Sequence, residues 1–219
     1  MLSNLRSRTA SAGPQPSNVL AGARLKAMMH ALGEPEHIDR DPDPSRTIDI
    51  YAFGRNFVEE CDSDSENDEG YVLVTSGMSD GLMLMPQGCN DETPAVELIW
   101  YARDLNPEYF SNLRWLAKLP FVDKSWLGFG HTIPMPEPPL SFCPFKTFLL
   151  LPPIIRPDRE LFEDIEQQGH CIGTLVVHLV STPEYNLIKS EDGLDRFLEQ
   201  LDENDYPTIF DPTRASMIA

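Results

Sequence analysis

The chain has 219 residues, of which 41% are hydrophobic, so its length and composition suit one domain with a substantial core. Its 17 basic and 35 acidic residues give a net charge of −18, which argues against binding nucleic acid or an anionic membrane through a broad basic face. Eight of the 20 prolines lie between Pro134 and Pro157. Because proline inside a helix removes a hydrogen bond, this density disfavours a simple helical bundle.

Four cysteines, at positions 61, 89, 143 and 171, are far apart and form no CxxC pair. A disulfide framework is typical of small secreted domains with little core, and this chain is neither small nor poor in core residues. No apolar run approaches the ~18 residues needed to span a bilayer. We therefore predict a cytoplasmic protein with reduced thiols and no membrane association.

The first elements follow from capping and hydrophobic patterns. Residues 1–17 are predicted to be a disordered tail, and Ser17 caps a helix over residues 18–32 that ends at Gly33. Residues 34–46 are polar and rich in proline, which predicts a loop. A β-branched and aromatic run predicts a strand over residues 48–53. Residues 59–69 hold seven acidic side chains that repel one another, so we expect a solvated loop.

The central part of the chain alternates strands with one clear helix. Strands are predicted over residues 71–75 and 95–101, and the second has Val96, Leu98 and Trp100 on one face and Glu97 on the other. Asn106 and Pro107 open a helix with an apolar stripe, which Pro120 is expected to end.

The remaining elements complete an α+β pattern. We expect extended chain over residues 129–133, a proline-rich stretch over 134–144, and strands over 148–151 and 172–180. Helices are expected after Thr182 and around residues 194–201. Strands and helices interleave without a regular βαβ period, which favours a mixed or antiparallel central sheet flanked by helices. Residues 18–215 are predicted to form this single domain, with residues 216–219 as a C-terminal tail.

Residues 77–81, Gly-Met-Ser-Asp-Gly, match the G-x-S-x-G pattern of a serine nucleophile after a strand. Asp164 with His170 or His178 would supply the rest of a catalytic triad in the right chain order. However, the pattern needs a helix directly after the serine, and Pro86 leaves room for at most one turn. A serine esterase using Ser79 is therefore kept as the alternative hypothesis.

Other site patterns are incomplete. Asp62, Asp64 and Glu66 begin like a calcium loop, but Asn67 and Leu73 occupy the positions that need glycine and glutamate. His170 and Cys171 are adjacent metal-ligand types without a second pair at a known spacing. No glycine-rich phosphate loop occurs. We predict no metal, no cofactor and no catalytic residue.

The stretch 126–144 combines aromatic residues, a histidine and several prolines. It suits a peptide- or partner-docking surface, with Trp126, His131, Thr132 and Glu137 as the candidate partner-binding residues. A proline-stiffened loop that covers a sheet edge is an equal interpretation, and both can hold together. All three tryptophans are expected to serve the core, with Trp126 partly exposed.

An ordered series of short segments covers residues 74–80, 96–98, 113–117, 130–134, 177–180 with 183–184, and 209–214. This series resembles the Suppressor of fused (Sufu) domain family, and residues 74–80 resemble its TSG(L/M)S(D/E) segment. Together they extend over about residues 45–215. Each match is short, but their number and order make the resemblance specific.

The resemblance implies a non-enzymatic α+β domain that binds another protein. In the animal relative, two lobes clamp an extended peptide as an added β-strand, and this chain matches the first lobe. Stand-alone bacterial members are thought to be interaction modules, several of them immunity proteins that neutralise a toxin. A net charge of −18 suits a basic partner of this kind. A scaffold with no toxin connection is equally compatible with the sequence.

Overall fold

A seven-stranded sheet forms the centre of the computed structural model, which describes residues 17–57, 69–89, 93–203 and 207–218. Its strands, in chain order, are β1 (His37–Asp39), β2 (Asp49–Asn56), β3 (Glu69–Ser76), β4 (Val96–Ala102), β5 (Thr132–Pro134), β6 (Thr147–Leu151) and β9 (Gly173–Val180). Across the sheet the order is β1-β2-β3-β4-β9-β6-β5, and β4 pairs with β9 in parallel among antiparallel neighbours. Strands β7 (Glu166–Gln167) and β8 (His170–Cys171) form a separate hairpin. The predicted α+β class with a mixed sheet is confirmed.

In the described residues, five helices cover the two faces of the sheet: α1 (Ser17–Leu32), α2 (Pro107–Val122), α3 (Arg156–Arg159), α4 (Thr182–Ile188) and α5 (Gly193–Glu203). On one face, α2 packs its apolar stripe against Ile50, Leu98 and Trp100. On the opposite face, α1 and the chain around α3 form one apolar cluster, and α4 and α5 form a second cluster over β6. Side chains that alternate along each strand therefore enter separate cores.

An ion pair holds the last described segment against the start of α4. Ser181 and Glu184 form a reciprocal capping box at the N-terminus of that helix, and Arg214 donates to both carboxylate oxygens of Glu184 at 2.6 and 2.8 Å. Burial opposes ionisation of Glu184, but hydrogen bonds from Arg214 and from the N–H groups of Met217 and Ser181 outweigh it and lower the pKa of the carboxyl. Residues 214–217 are thereby fixed to the domain.

Two of the predicted boundaries are wrong. Residues 34–46 contain a short strand, β1, because their backbone pairs with β2 although their side chains are polar. Helix α2 continues through Pro120 to Val122, since proline in a last turn removes a single backbone donor, and the Asp123 N–H still donates to the Leu119 carbonyl.

Other differences concern residues 129–133 and the tryptophans. Phe129 and Gly130 form a turn, with Gly130 at a φ of +71°, so the extended segment begins later, at Thr132. Trp100 is fully buried and Trp126 is partly exposed, as predicted, whereas Trp115 is 39% exposed on the outer side of α2. Residues 1–16, residues 59–68 of the acidic stretch and Cys61 lie outside the described residues.

Of the helices in the described ranges, none combines the length and apolar character needed to cross a membrane.

Candidate functional site

The Gly-Met-Ser-Asp-Gly segment forms a buried turn between β3 and the rest of the sheet. Residues Met78–Asp80 make one 3₁₀ turn, and Gly77 precedes it at a φ of +129°, where a Cβ would collide with the carbonyl oxygen of Thr47. The turn directs the Ser79 side chain inward, and this side chain has no solvent-exposed surface. This geometry requires glycine at position 77.

The buried carboxylate of Glu97 organises this turn. Ser79 Oγ donates to Glu97 Oε1 at 2.6 Å, and the N–H groups of Gly77 and Ser79 donate to the same oxygen at 3.0 Å each. Thr75 Oγ1 donates to the other carboxylate oxygen at 2.6 Å. Because Glu97 has no exposed surface, these donors replace the water that an exposed carboxylate would bind.

Helix α1 supplies the counter-charge for this carboxylate. Arg24 is fully buried, and its Nε lies 3.4 Å from Glu97 Oε1. The same guanidinium donates to Ser76 Oγ, Ser79 Oγ and, at 2.7 Å, Asp80 Oδ1. Alternation along β4 predicted the face of Glu97, but no local signal indicated that an arginine from α1 would pair with it.

Ser79 is not placed as a catalytic nucleophile. Within the described residues its hydroxyl bonds to Glu97 and Arg24, and neither His170 nor His178 hydrogen-bonds to it. His170 is exposed in the β7–β8 hairpin, and His178 faces a cavity beside α5. The residues of the alternative hydrolase hypothesis therefore lie in separate environments.

Neither of the two metal-ligand patterns forms a metal site within the described residues. Asp62, Asp64 and Glu66 of the calcium-like stretch lie outside the described residues. His170 and Cys171 are both exposed on β8. In the described part of the chain, no three histidine, cysteine or acidic side chains group closely enough to hold a metal ion.

Strand β5 is one free edge of the sheet. The Leu150 N–H donates to the His131 carbonyl, the Met135 N–H donates to the Lys146 carbonyl, and Ile133 lies opposite Phe148. Since backbone groups alternate in direction along a strand, those of Thr132 and Pro134 point away from the sheet. The edge therefore presents the N–H and C=O of Thr132 and the C=O of Pro134 on the side away from β6.

The predicted partner-binding residues lie along this edge. The rings of Trp126 and His131 meet edge to face with their centroids 4.2 Å apart, just before β5. Thr132 opens the strand, and its buried side-chain hydroxyl finds no partner among the described residues. Glu137 lies beyond the strand end, with its side chain 85% exposed and 3.7 Å from Lys146.

A mixed sheet with helices on both faces and a short open edge strand such as β5 defines a class of α+β domain suited to receiving another polypeptide. Residues 44–215 match the sequence pattern of the Suppressor of fused protein (SUFU) family. The chain belongs to this family, whose fold serves protein–protein interaction. No curated protein matches the sequence.

Solved structures of low sequence identity share the fold. One is described as a SUFU homologue from Neisseria gonorrhoeae FA 1090, with a TM-score of 0.66, 15% identity and coverage of 92% of this chain and 98% of that one. A second is from a Sufu–Fu complex, with a TM-score of 0.65, 13% identity and coverage of 94% and 93%. The third is Drosophila Suppressor of Fused, with a TM-score of 0.63 and 13% identity. The match covers 93% of this chain and 52% of the Drosophila chain.

Proposed function

We propose that this chain is a non-catalytic module that binds an extended segment of another protein as an added strand along β5. The outward backbone groups of Thr132 and Pro134 carry this proposal, because an incoming strand can exchange hydrogen bonds with them. The partly exposed Trp126–His131 ring pair at one end and the exposed Glu137 at the other would contact side chains of that strand. A Sufu relative that shares the fold was solved in complex with Fu, which supports a protein partner.

The partner we propose is a basic protein. A net charge of −18 would accelerate encounter with a cationic surface and would make binding weaken with salt. A toxin held inactive by this chain, acting as its immunity protein, is the form of this function that we favour. Free thiols at Cys89, Cys143 and Cys171 support action in a reducing compartment such as the cytoplasm.

Two variants at one position test the binding site. Thr132→Pro removes the outward N–H without taking a donor from the β5–β6 ladder, whereas Thr132→Val keeps that N–H. Wild type and both variants are immobilised, challenged with extract of the native host over a salt series, and each retained protein is then purified for calorimetric titration. We expect a partner that binds wild type and Thr132→Val at least about tenfold more tightly than Thr132→Pro.

The outcomes test the position of the interface, the binding function and the immunity role separately. Equal affinity for all three proteins would place the interface elsewhere than β5, and no retained protein at physiological salt would contradict a binding module. For the immunity role, the partner is expressed alone and together with this chain. Growth arrest that co-expression relieves is expected, and a partner without effect on growth would contradict that role alone.

A further inference from the structure

An apolar cavity of about 340 Å³ lies between the two clusters on the α1 and α5 face of the sheet. Six of the side chains that line it are Phe129, Leu151, Ile154, Val176, Leu198 and Leu201. Its volume falls in the range of ordinary ligand pockets. Neither cluster fills this space. Helix α3 with its flanking chain lies on one side of it, and α5 lies on the other.

The mouth of the cavity is apolar, as its walls are. Phe129 is 44% exposed and Ile154 is 66% exposed, and both are large hydrophobic residues that line the opening. Exposed apolar side chains that continue a cavity outward are typical of sites where another protein docks. A small enclosed ligand would leave these two side chains uncovered.

His178 supplies a polar group within the apolar lining. It projects from β9 on the cavity side, while its neighbours Val177 and Leu179 face the α2 core. Burial and then the charge of Arg214 lower the pKa of His178 to about 4. The imidazole is therefore neutral at neutral pH, so the cavity offers no cation of its own at this position.

Helix α5, which forms one wall of the cavity, and the residues just before it are rich in acidic side chains. Between residues 190 and 203 the acids are Glu191, Asp192, Asp195, Glu199, Asp202 and Glu203, opposed by Arg196. Asp202 lines the cavity, as does Arg159, whose guanidinium donates to the carbonyl of Pro153. A segment that enters from this side is favoured when it carries positive charge.

We propose that this cavity binds one bulky apolar side chain, aromatic or branched aliphatic, from a protein partner whose flanking residues are cationic. The proposal rests on the proposed function, since it makes the cavity an anchor pocket beside the β5 edge. The two sites are close in the chain: Phe129 lies at the mouth of the cavity, and Thr132 starts the edge strand three positions later. The backbone edge would fix the register of the partner, and the cavity would select its side chain.

Two blocked peptides of equal charge test the pocket directly: acetyl-Lys-Lys-Trp-Lys-Lys-amide and acetyl-Lys-Lys-Ala-Lys-Lys-amide. Each is titrated into the methyl-labelled full chain, and NMR shifts are followed. We expect the tryptophan peptide to bind at least about tenfold more tightly and to shift the methyl groups of Leu151, Val176 and Leu198. Equal affinities, or shifts confined to other regions, would overturn the inference.

Three variants locate the effect. Leu201→Trp fills the cavity and should abolish the preference for the tryptophan peptide. Ile154→Ser, at the exposed mouth, should reduce the preference severalfold without disturbing the core. Val122→Trp makes a matched change at a residue that is 75% exposed on the α2 side, and it should leave the preference intact. An unchanged preference in Leu201→Trp and Ile154→Ser would contradict the pocket.

The two proposals fail separately. Partner binding that is lost in Thr132→Pro, with no tryptophan preference, would overturn the pocket and leave the β5 proposal standing. A clear tryptophan preference, together with partner binding that Thr132→Pro does not affect, would overturn the β5 proposal and leave the pocket standing.

Discussion

Replacing Arg24 with methionine removes the guanidinium from the buried turn and keeps a long side chain in α1. Glu97 would then have no exposed surface and no neighbouring cation. Asp80 is affected less, because its side chain is 28% exposed and can bind water. The perturbation therefore leaves one buried charge uncompensated, and it also removes the hydrogen bonds that Arg24 donates to Ser76 and Ser79.

The expected loss is about 3 kcal/mol in the free energy of unfolding. Breaking a buried ion pair from one side typically costs about 3–5 kcal/mol. The hydrogen bonds that Glu97 still accepts from Thr75, Gly77 and Ser79 place the value at the low end. For a domain of this size, about 3 kcal/mol corresponds to a fall in Tm of roughly 6–12 °C.

Guanidinium denaturation followed by tryptophan fluorescence measures this loss. Lys26→Met is the matched control, because it makes the same kind of change at an exposed position of α1 and should stay within about 0.5 kcal/mol of wild type. Adding Glu97→Gln to the Arg24→Met variant should recover part of the stability, since it removes the charge. A loss below about 1 kcal/mol, or no recovery in the double variant, would refute the electrostatic argument.

Three further perturbations can be measured by the same denaturation assay. Thr132→Val should raise the free energy of unfolding by roughly 1 kcal/mol, because it deletes a buried hydroxyl that lacks a partner in the described chain, and a loss would contradict this. Gly77→Ala should cost at least about 2 kcal/mol, because alanine is strained at a φ of +129° and its Cβ meets Thr47, and a neutral result would show that the turn can relax. For His178, the folded pKa of about 4 lies below the unfolded value of about 6.5, so the unfolded chain binds more protons between these values. Stability should therefore fall by about 2 kcal/mol from pH 7 to pH 5 through this group. A His178→Gln variant should lose that part of the slope, and an unchanged slope would contradict the assignment.

Local patterns predicted most elements because their signals lie within a few residues. Asn106 with Pro107 marks the start of α2, and the continuous apolar run before Pro152 marks β6. Strand β1 escaped prediction because its pairing with β2, and not its own polar composition, makes it a strand. The C-terminal end of α2 was predicted too early, because proline in a last helical turn costs little stability when the N–H groups that follow it still donate to carbonyls.

Site residues were harder to predict because their roles depend on distant contacts. Arg24 and Ser79 are 55 positions apart and still hydrogen-bond. The G-x-S-x-G pattern indicates a turn at Ser79 but not whether its hydroxyl points to solvent or to a buried carboxylate. Phe129 and Ile154 come together only through the pairing of β5 with β6 and the placement of α3, which no short pattern encodes.

Helix α1 precedes residues 44–215, the part of the chain that matches the family pattern, and it still completes the interior of the domain. A fragment that starts at residue 44 would lack the basic partner of a buried acid in the central sheet. The apolar strand surface that α1 covers would also be exposed to solvent. The range that matches the family is therefore shorter than the packed interior, which includes side chains of α1. Fragments designed for expression or crystallisation should start ahead of Ser17.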